Sequence, residues 1–196
     1  MADAKQVMEL RNLTGAGMMD AKGALEEAGG DMQKAMEVLK KKGAAKAAKK
    51  TSERTTAEGV VASYIHHTRK LGAMVEIQSE TDFVARNEEF RQFADDMAMQ
   101  VAAIDPLYVS PETVPADVLE KQRQIFKDEM AGENKPDDIK EKIIEGKMAK
   151  WFSETCLLKQ AFFKDEDKTV EDLLNEKIAK IGEKIVIARF VRFNMG

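Results

Sequence analysis

This chain of 196 residues has one cysteine, two histidines and few aromatic side chains, 6% in all. A single cysteine, Cys156, cannot close an internal disulfide, and this fits a reducing cytoplasm. With no histidine near it in sequence, Cys156 reads as a packed thiol and not as a nucleophile. The two histidines, His66 and His67, are adjacent. On a strand they point to opposite faces and do not converge on one metal. No apolar run approaches the ~20 residues of a membrane helix. Met1-Ala2-Asp3-Ala4-Lys5 lacks the basic-then-apolar order of a signal peptide. Gly15-Ala16-Gly17 and Gly146-Lys147 fall short of a phosphate loop, so the chain is not expected to hold a nucleotide. Asp165-Glu166-Asp167-Lys168 lacks the alternating oxygens and central glycine of a calcium loop. Glu80 and Asp82 have no second acidic pair beside them, which favours polar recognition over acid–base chemistry. The expectation is a cytoplasmic protein that is not an enzyme, with no cofactor, no metal and no membrane contact.

What is abundant is charge. The chain is 34% charged and 43% hydrophobic, with a net charge of −4. Residues 1–54 hold 11 Lys/Arg against 8 Asp/Glu, and the remainder holds 20 against 27. The positive excess concentrates in Lys40 to Lys50, which has six lysines and no acid. Such a run can touch phosphates, but it also suits a solvated helix end and linker. No aromatic interleaves it, so the stacking platform of single-strand binders is missing. No direct nucleic-acid binding is expected.

Periodicity divides the chain. Val7 and Leu10 share a helix face. Gly15 and Gly17 favour a turn, and a second helix carries Met18, Ala21 and Leu25 up to Gly29-Gly30. Asp31 is a natural N-cap for a third helix, with Met32, Ala35, Met36 and Leu39 at helical spacing. Gly43 is expected to end it. Residues 1–45 thus form a small three-helix domain, 46–56 a Lys/Ala-rich linker, and 57–196 a second domain. There, Val60–Ile65 and Leu71–Ile77 alternate as strands around the polar turn His66–Lys70. Asn87 can cap a helix whose apolar face is Phe90, Phe93, Ala94, Met97 and Val101. A proline-bearing loop spans 105–115. Helices follow around Val118–Phe126, from Pro136 as first residue, and over Val170–Ile181. Ile185–Phe193 closes the chain as a strand. Taken alternately, Ile185, Ile187, Val191 and Phe193 share one face, opposite Val186, Ala188 and Phe190. The fold class is α+β, with a three-stranded antiparallel sheet packed by helices.

The segment Thr81-Asp82-Phe83-Val84 falls at the strand-to-helix corner after Ile77. Phe83 there is either a core residue turned inward or an exposed apolar residue that a partner covers. The longer stretch Glu80 to Phe90 resembles the signature of the bacterial elongation factor Ts family. So do Glu9-Leu10-Arg11 with Thr14 to Lys22, then Glu145-Gly146-Lys147, Leu157 to Gln160, Lys168-Thr169-Val170 and Arg189 to Phe193. The resemblance covers essentially the whole chain. It implies a translation factor that exchanges guanine nucleotide on elongation factor Tu, with Phe83 as a wedge, Asp82 as a polar anchor, and Thr81 and Val84 shaping the corner. The N-terminal helices, similar to a ubiquitin-associated domain, would contribute Lys22, which matches a family contact position, with Leu10, Met18 and Met19 as apolar contacts; the alternative for these residues is that domain's own core, and for Met18 and Met19 the two readings are even. Gln100 stands where some members carry a contacting histidine. The chain is short for the family, with one core module and no coiled-coil insertion, which suggests a homodimer. The rival reading is a ribosome-associated or RNA-binding adaptor using the helical domain and the lysine run.

Overall fold

The computed structural model describes residues 3–53 and 55–196; the side chains of Ala44 and of 46–53 lie outside the described residues, and so does part of the lysine run. Three helices open the chain: α1 (Ala4–Thr14), α2 (Met18–Glu27) and α3 (Met32–Glu53). Asp3 caps α1 by accepting the Lys5 N–H at 3.2 Å. Gly15 ends it in the left-handed region (φ 68°), returning its N–H to the Arg11 carbonyl at 2.8 Å. Asp31 Oδ1 caps α3 by accepting from the Gln33 N–H (2.9 Å) and the Lys34 N–H (3.1 Å). Val7, Leu10, Ala21, Ala24, Leu25 and Ala35 form a small core between these helices.

Gly43 does not stop α3, which runs on to Glu53 with Gly43 in helical backbone. A helical glycine costs about 1 kcal/mol against alanine. It ends a helix only where it turns left-handed, and the alanines and lysines after it are good helix formers. The expected linker, 46–56, is therefore helical as far as Glu53; Arg54 lies outside the described residues.

The three-stranded antiparallel sheet is present. Its order is β1 (Glu58–Ile65), β2 (Leu71–Ser79), β5 (Ile185–Asn194), with β2 central. Ala73, Val75 and Ile77 are buried on its inner face beneath α5 (Glu88–Ile104), which presents Phe90, Phe93, Met97 and Val101. Asn87 caps α5 through Oδ1, which accepts the Glu89 N–H at 2.8 Å and the Phe90 N–H at 3.3 Å. Val170, Leu174 and Ile178 of α8 (Val170–Ile181) complete the core.

Strict alternation fails in β5. Ile77 pairs with Ile187 but Glu76 pairs with Arg189, so Ala188 is an extra residue in a β-bulge. The bulge reverses the side-chain phase beyond it. Ile185 and Ile187 are buried, whereas Val191 and Phe193 emerge on the outer face, opposite to the expectation that all four lie together.

Other differences are local. α6 (Ala116–Met130) and α7 (Asp137–Thr155) fold back on each other as a helical pair tied by Arg123–Glu141 and Glu129–Lys147, and only Ile144 between them is buried. Pro136 is the cap before α7 and not its first residue. A small hairpin, β3 (Ala161–Phe162) with β4 (Asp165–Thr169), was not expected from its acidic sequence. The N-terminal helices meet the core where Lys40 of α3 pairs with Asp172 of α8 at 2.9 Å. Burial pushes the Asp172 carboxyl up, but its bonds from Lys40 and Thr169 outweigh this and leave it below the usual carboxylate range.

Candidate functional site

The corner after β2 is built at one end of the sheet, where Ser79 closes β2 and its pairing partner Ile185 opens β5. Ser79, fully buried, donates its hydroxyl to the Thr81 carbonyl at 3.1 Å. Thr81 then caps the single-turn helix α4 (Asp82–Ala85), its Oγ1 accepting the Val84 N–H at 3.5 Å. Val84 and Ala85 turn inward and are buried. One position out of phase with Val84 on this short turn, Phe83 is 80% exposed. Asp82 lies at the rim, paired with Arg86 at 3.0 Å. Below, Arg91 Nε donates to the Ala85 carbonyl at 3.2 Å.

A second segment grips the corner. Gly182 takes the left-handed conformation (φ 88°) that ends α8 and sends the chain back toward β5. The next residue, Glu183, accepts the Thr81 N–H on Oε2 at 3.1 Å and the Thr81 hydroxyl on Oε1 at 2.8 Å. In return the Glu80 carboxylate accepts the Lys184 N–H. Nearby, Glu89 at the start of α5 takes Lys177 Nζ at 2.6 Å and Lys180 Nζ at 2.8 Å. Those two bonds hold its carboxyl below its ordinary value. The result is an exposed aromatic on a rigid mount.

The N-terminal candidates divide. Leu10 is fully buried in the three-helix core, so its side chain is not on the surface that a partner would touch. Met19 is exposed, Met18 less so, and Lys22 lies at the surface near Glu26 at 3.9 Å. Leu13, which sequence reasoning did not single out, is also exposed, just before the turn that leads into Met18. Its only sequence signal is that it falls away from the Val7 face. Gln100 is fully buried. It accepts the Phe163 N–H at 2.9 Å and donates to the Ala161 carbonyl at 3.0 Å, so it binds its own chain and not a partner.

Among the described residues, no group of three or more His, Cys, Asp and Glu side chains is placed to hold a metal. His66 and His67 lie side by side in the β1–β2 turn, ring centroids 4.1 Å apart. Cys156 is buried, and burial pushes its thiol up, which disfavours the reactive thiolate. Among the described residues, no helix is long and apolar enough to cross a membrane.

The surface corner is the segment that carries the sequence signature, and comparison with known proteins agrees along the whole chain. The family model described as elongation factor TS matches residues 20–196. Elongation factor Ts of Thermosipho melanesiensis is 54% identical over 196 residues, all of both chains. That of Carboxydothermus hydrogenoformans is 56% identical over 196 residues, all of this chain and 90% of its own. That of Desulforamulus reducens is 55% identical over 193 residues, 98% of this chain and 88% of its own. With a family match across both the sheet and the corner, and relatives sharing more than half of all positions end to end, this chain belongs to the elongation factor Ts family of translation factors.

Proposed function

We propose that the chain is a guanine nucleotide exchange factor for the translational GTPase elongation factor Tu. An exchange factor needs no reacting group of its own. It binds the nucleotide-free GTPase better than the GDP-bound form, and by linkage it weakens GDP binding by the same factor. The nucleotide of such GTPases is held by a phosphate cradle and a Mg²⁺ ion. A hydrophobic wedge pressed beside that site disturbs both. Phe83 is the wedge, Asp82 the polar anchor at its rim, and Thr81 and Val84 set its direction. Met18, Met19 and Lys22 are a second contact. The single observation that carries this reading is an aromatic ring 80% exposed on an anchored corner. A free surface has no use for such a ring, whereas an interface gains most from burying one.

The test is release of labelled GDP from purified elongation factor Tu with catalytic amounts of this chain. Phe83→Ala should leave the melting temperature in place, because the ring makes little contact with the fold. It should weaken the productive complex by about 2–4 kcal/mol, the usual cost of truncating an aromatic anchor. Unchanged exchange by the folded variant would refute the wedge.

A further inference from the structure

We infer that Glu183 is a positioning residue for the Phe83 corner; this rests on the exchange reading above. Glu183 touches no partner in the proposed mechanism and lies 102 residues from Thr81 in sequence. Its carboxylate nevertheless takes both donors of Thr81, the backbone N–H at 3.1 Å and the hydroxyl at 2.8 Å. Because the Thr81 hydroxyl gives its proton to Glu183, its oxygen presents a lone pair to the Val84 N–H. The carboxylate thereby sets the rotamer of the residue that caps α4. A four-residue helix has too few internal bonds to hold itself in water. Its direction, and with it the direction of Phe83, depends on this cap and on the buried Val84 and Ala85.

Glu183 is itself held. Gly182 ends α8 with φ 88°, a conformation that other residues adopt with strain, and Ile185, two residues on, is fully packed in the sheet. Glu183 therefore has little freedom between a helix end and a strand start. The reciprocal bond between Glu80 and the Lys184 N–H ties the two segments a second time. The function of the clamp is to present Phe83 already oriented, so that the GTPase does not bear the ordering cost on binding.

The experiment uses the full chain and elongation factor Tu loaded with labelled GDP. Glu183→Ala, Phe83→Ala and the double variant are compared, with amide hydrogen exchange at Val84–Asn87 as a second readout. Glu183→Ala should slow GDP release on the order of tenfold, the effect of losing hydrogen bonds to a charged acceptor. It should also speed amide exchange at the corner. In the Phe83→Ala background the same substitution should cost markedly less, because most of its effect passes through the ring. Glu183→Gln should recover part of the activity, since its amide oxygen can still accept the Thr81 hydroxyl proton while the second acceptor is lost. Equal cost in both backgrounds, or unchanged amide exchange at Val84–Asn87, would overturn the assignment. If Phe83→Ala leaves GDP release untouched, the exchange reading fails, while the amide exchange still decides Glu183. Should Glu183→Ala fail to fold, Glu183→Asp, which draws the carboxylate back by one methylene from both Thr81 donors, is read the same way.

Discussion

Phe83 and Leu10 are both apolar, yet 80% of the first and none of the second meets solvent. Phase within a helix separates them. Leu10 sits three residues from Val7 on the face that packs against Ala21 and Leu25. Phe83 precedes the inward Val84 on a single turn, about 100° away around the helix. Gln100 carries the opposite lesson, a polar group that the core retains. Its side chain satisfies the Phe163 N–H and the Ala161 carbonyl, which β3 and its turn leave facing the core. Gln100→Leu would keep the volume and orphan both backbone groups. We expect a loss of about 2 kcal/mol in stability, read by denaturant unfolding. GDP release by the folded fraction should be unchanged, because Gln100 lies in the core. A variant as stable as the parent would mean that water replaces the amide.

At the scale of elements, a single residue decides what a strand shows to solvent. Without the bulge at Ala188, Val191 and Phe193 would continue the buried face begun by Ile185 and Ile187. With it they stand outward beside Met74 and across the sheet from Ile65. The β1–β2 pair has its own constraint at Gly59 (φ 154°), where a Cβ would lie 2.3 Å from the Ile77 carbonyl oxygen and 2.8 Å from Gln78 Cα. Neither backbone atom can retreat without breaking the pairing. Gly59→Ala should destabilise the chain by roughly 1–3 kcal/mol. Gly23→Ala, in α2 with nothing within 4 Å, should stabilise by about 0.5–1 kcal/mol. Thermal unfolding of the two variants in parallel checks this, and a neutral Gly59→Ala would show that β1 shifts freely along its neighbour.

For the whole molecule, the described residues gather into two hydrophobic cores. One lies among the first three helices, and the larger lies between the sheet, α5 and α8. We propose that 1–45 and 57–196 fold as separate domains joined through the α3 extension. We also propose that two chains pair through the outer face of the sheet. That face exposes Val61, Ile65, Met74, Val191 and Phe193, with Glu76 and Arg189 paired at 2.7 Å within it. Apolar residues gathered on one sheet face, with charges of both signs within it, suit a self-complementary two-fold contact. Light scattering in reducing buffer should give about twice the chain mass of 21.9 kDa. A chain lacking residues 1–45 should remain folded and dimeric, since the face belongs wholly to the core domain. Phe193→Asp should release monomers. A monomeric parent chain would refute the pairing, and a truncated chain that melts without cooperativity would refute the domain division.

The strands, the α5 face, the caps at Asp31 and Asn87 and the family membership are all legible in the order of residues. Each depends on neighbours a few positions apart, and hydrophobic period, capping chemistry and motif spacing report such neighbours directly. Gly43 misleads because glycine marks a helix end only when its backbone turns left-handed, and composition does not reveal the backbone angle. The bulge at Ala188 is hidden because it depends on how β5 registers against β2, more than a hundred residues earlier. The burial of Gln100 and the grip of Glu183 on Thr81 come from the same source. A polar side chain looks alike in sequence whether it faces water or a distant backbone group. Only the packed chain brings that second group within hydrogen-bond reach.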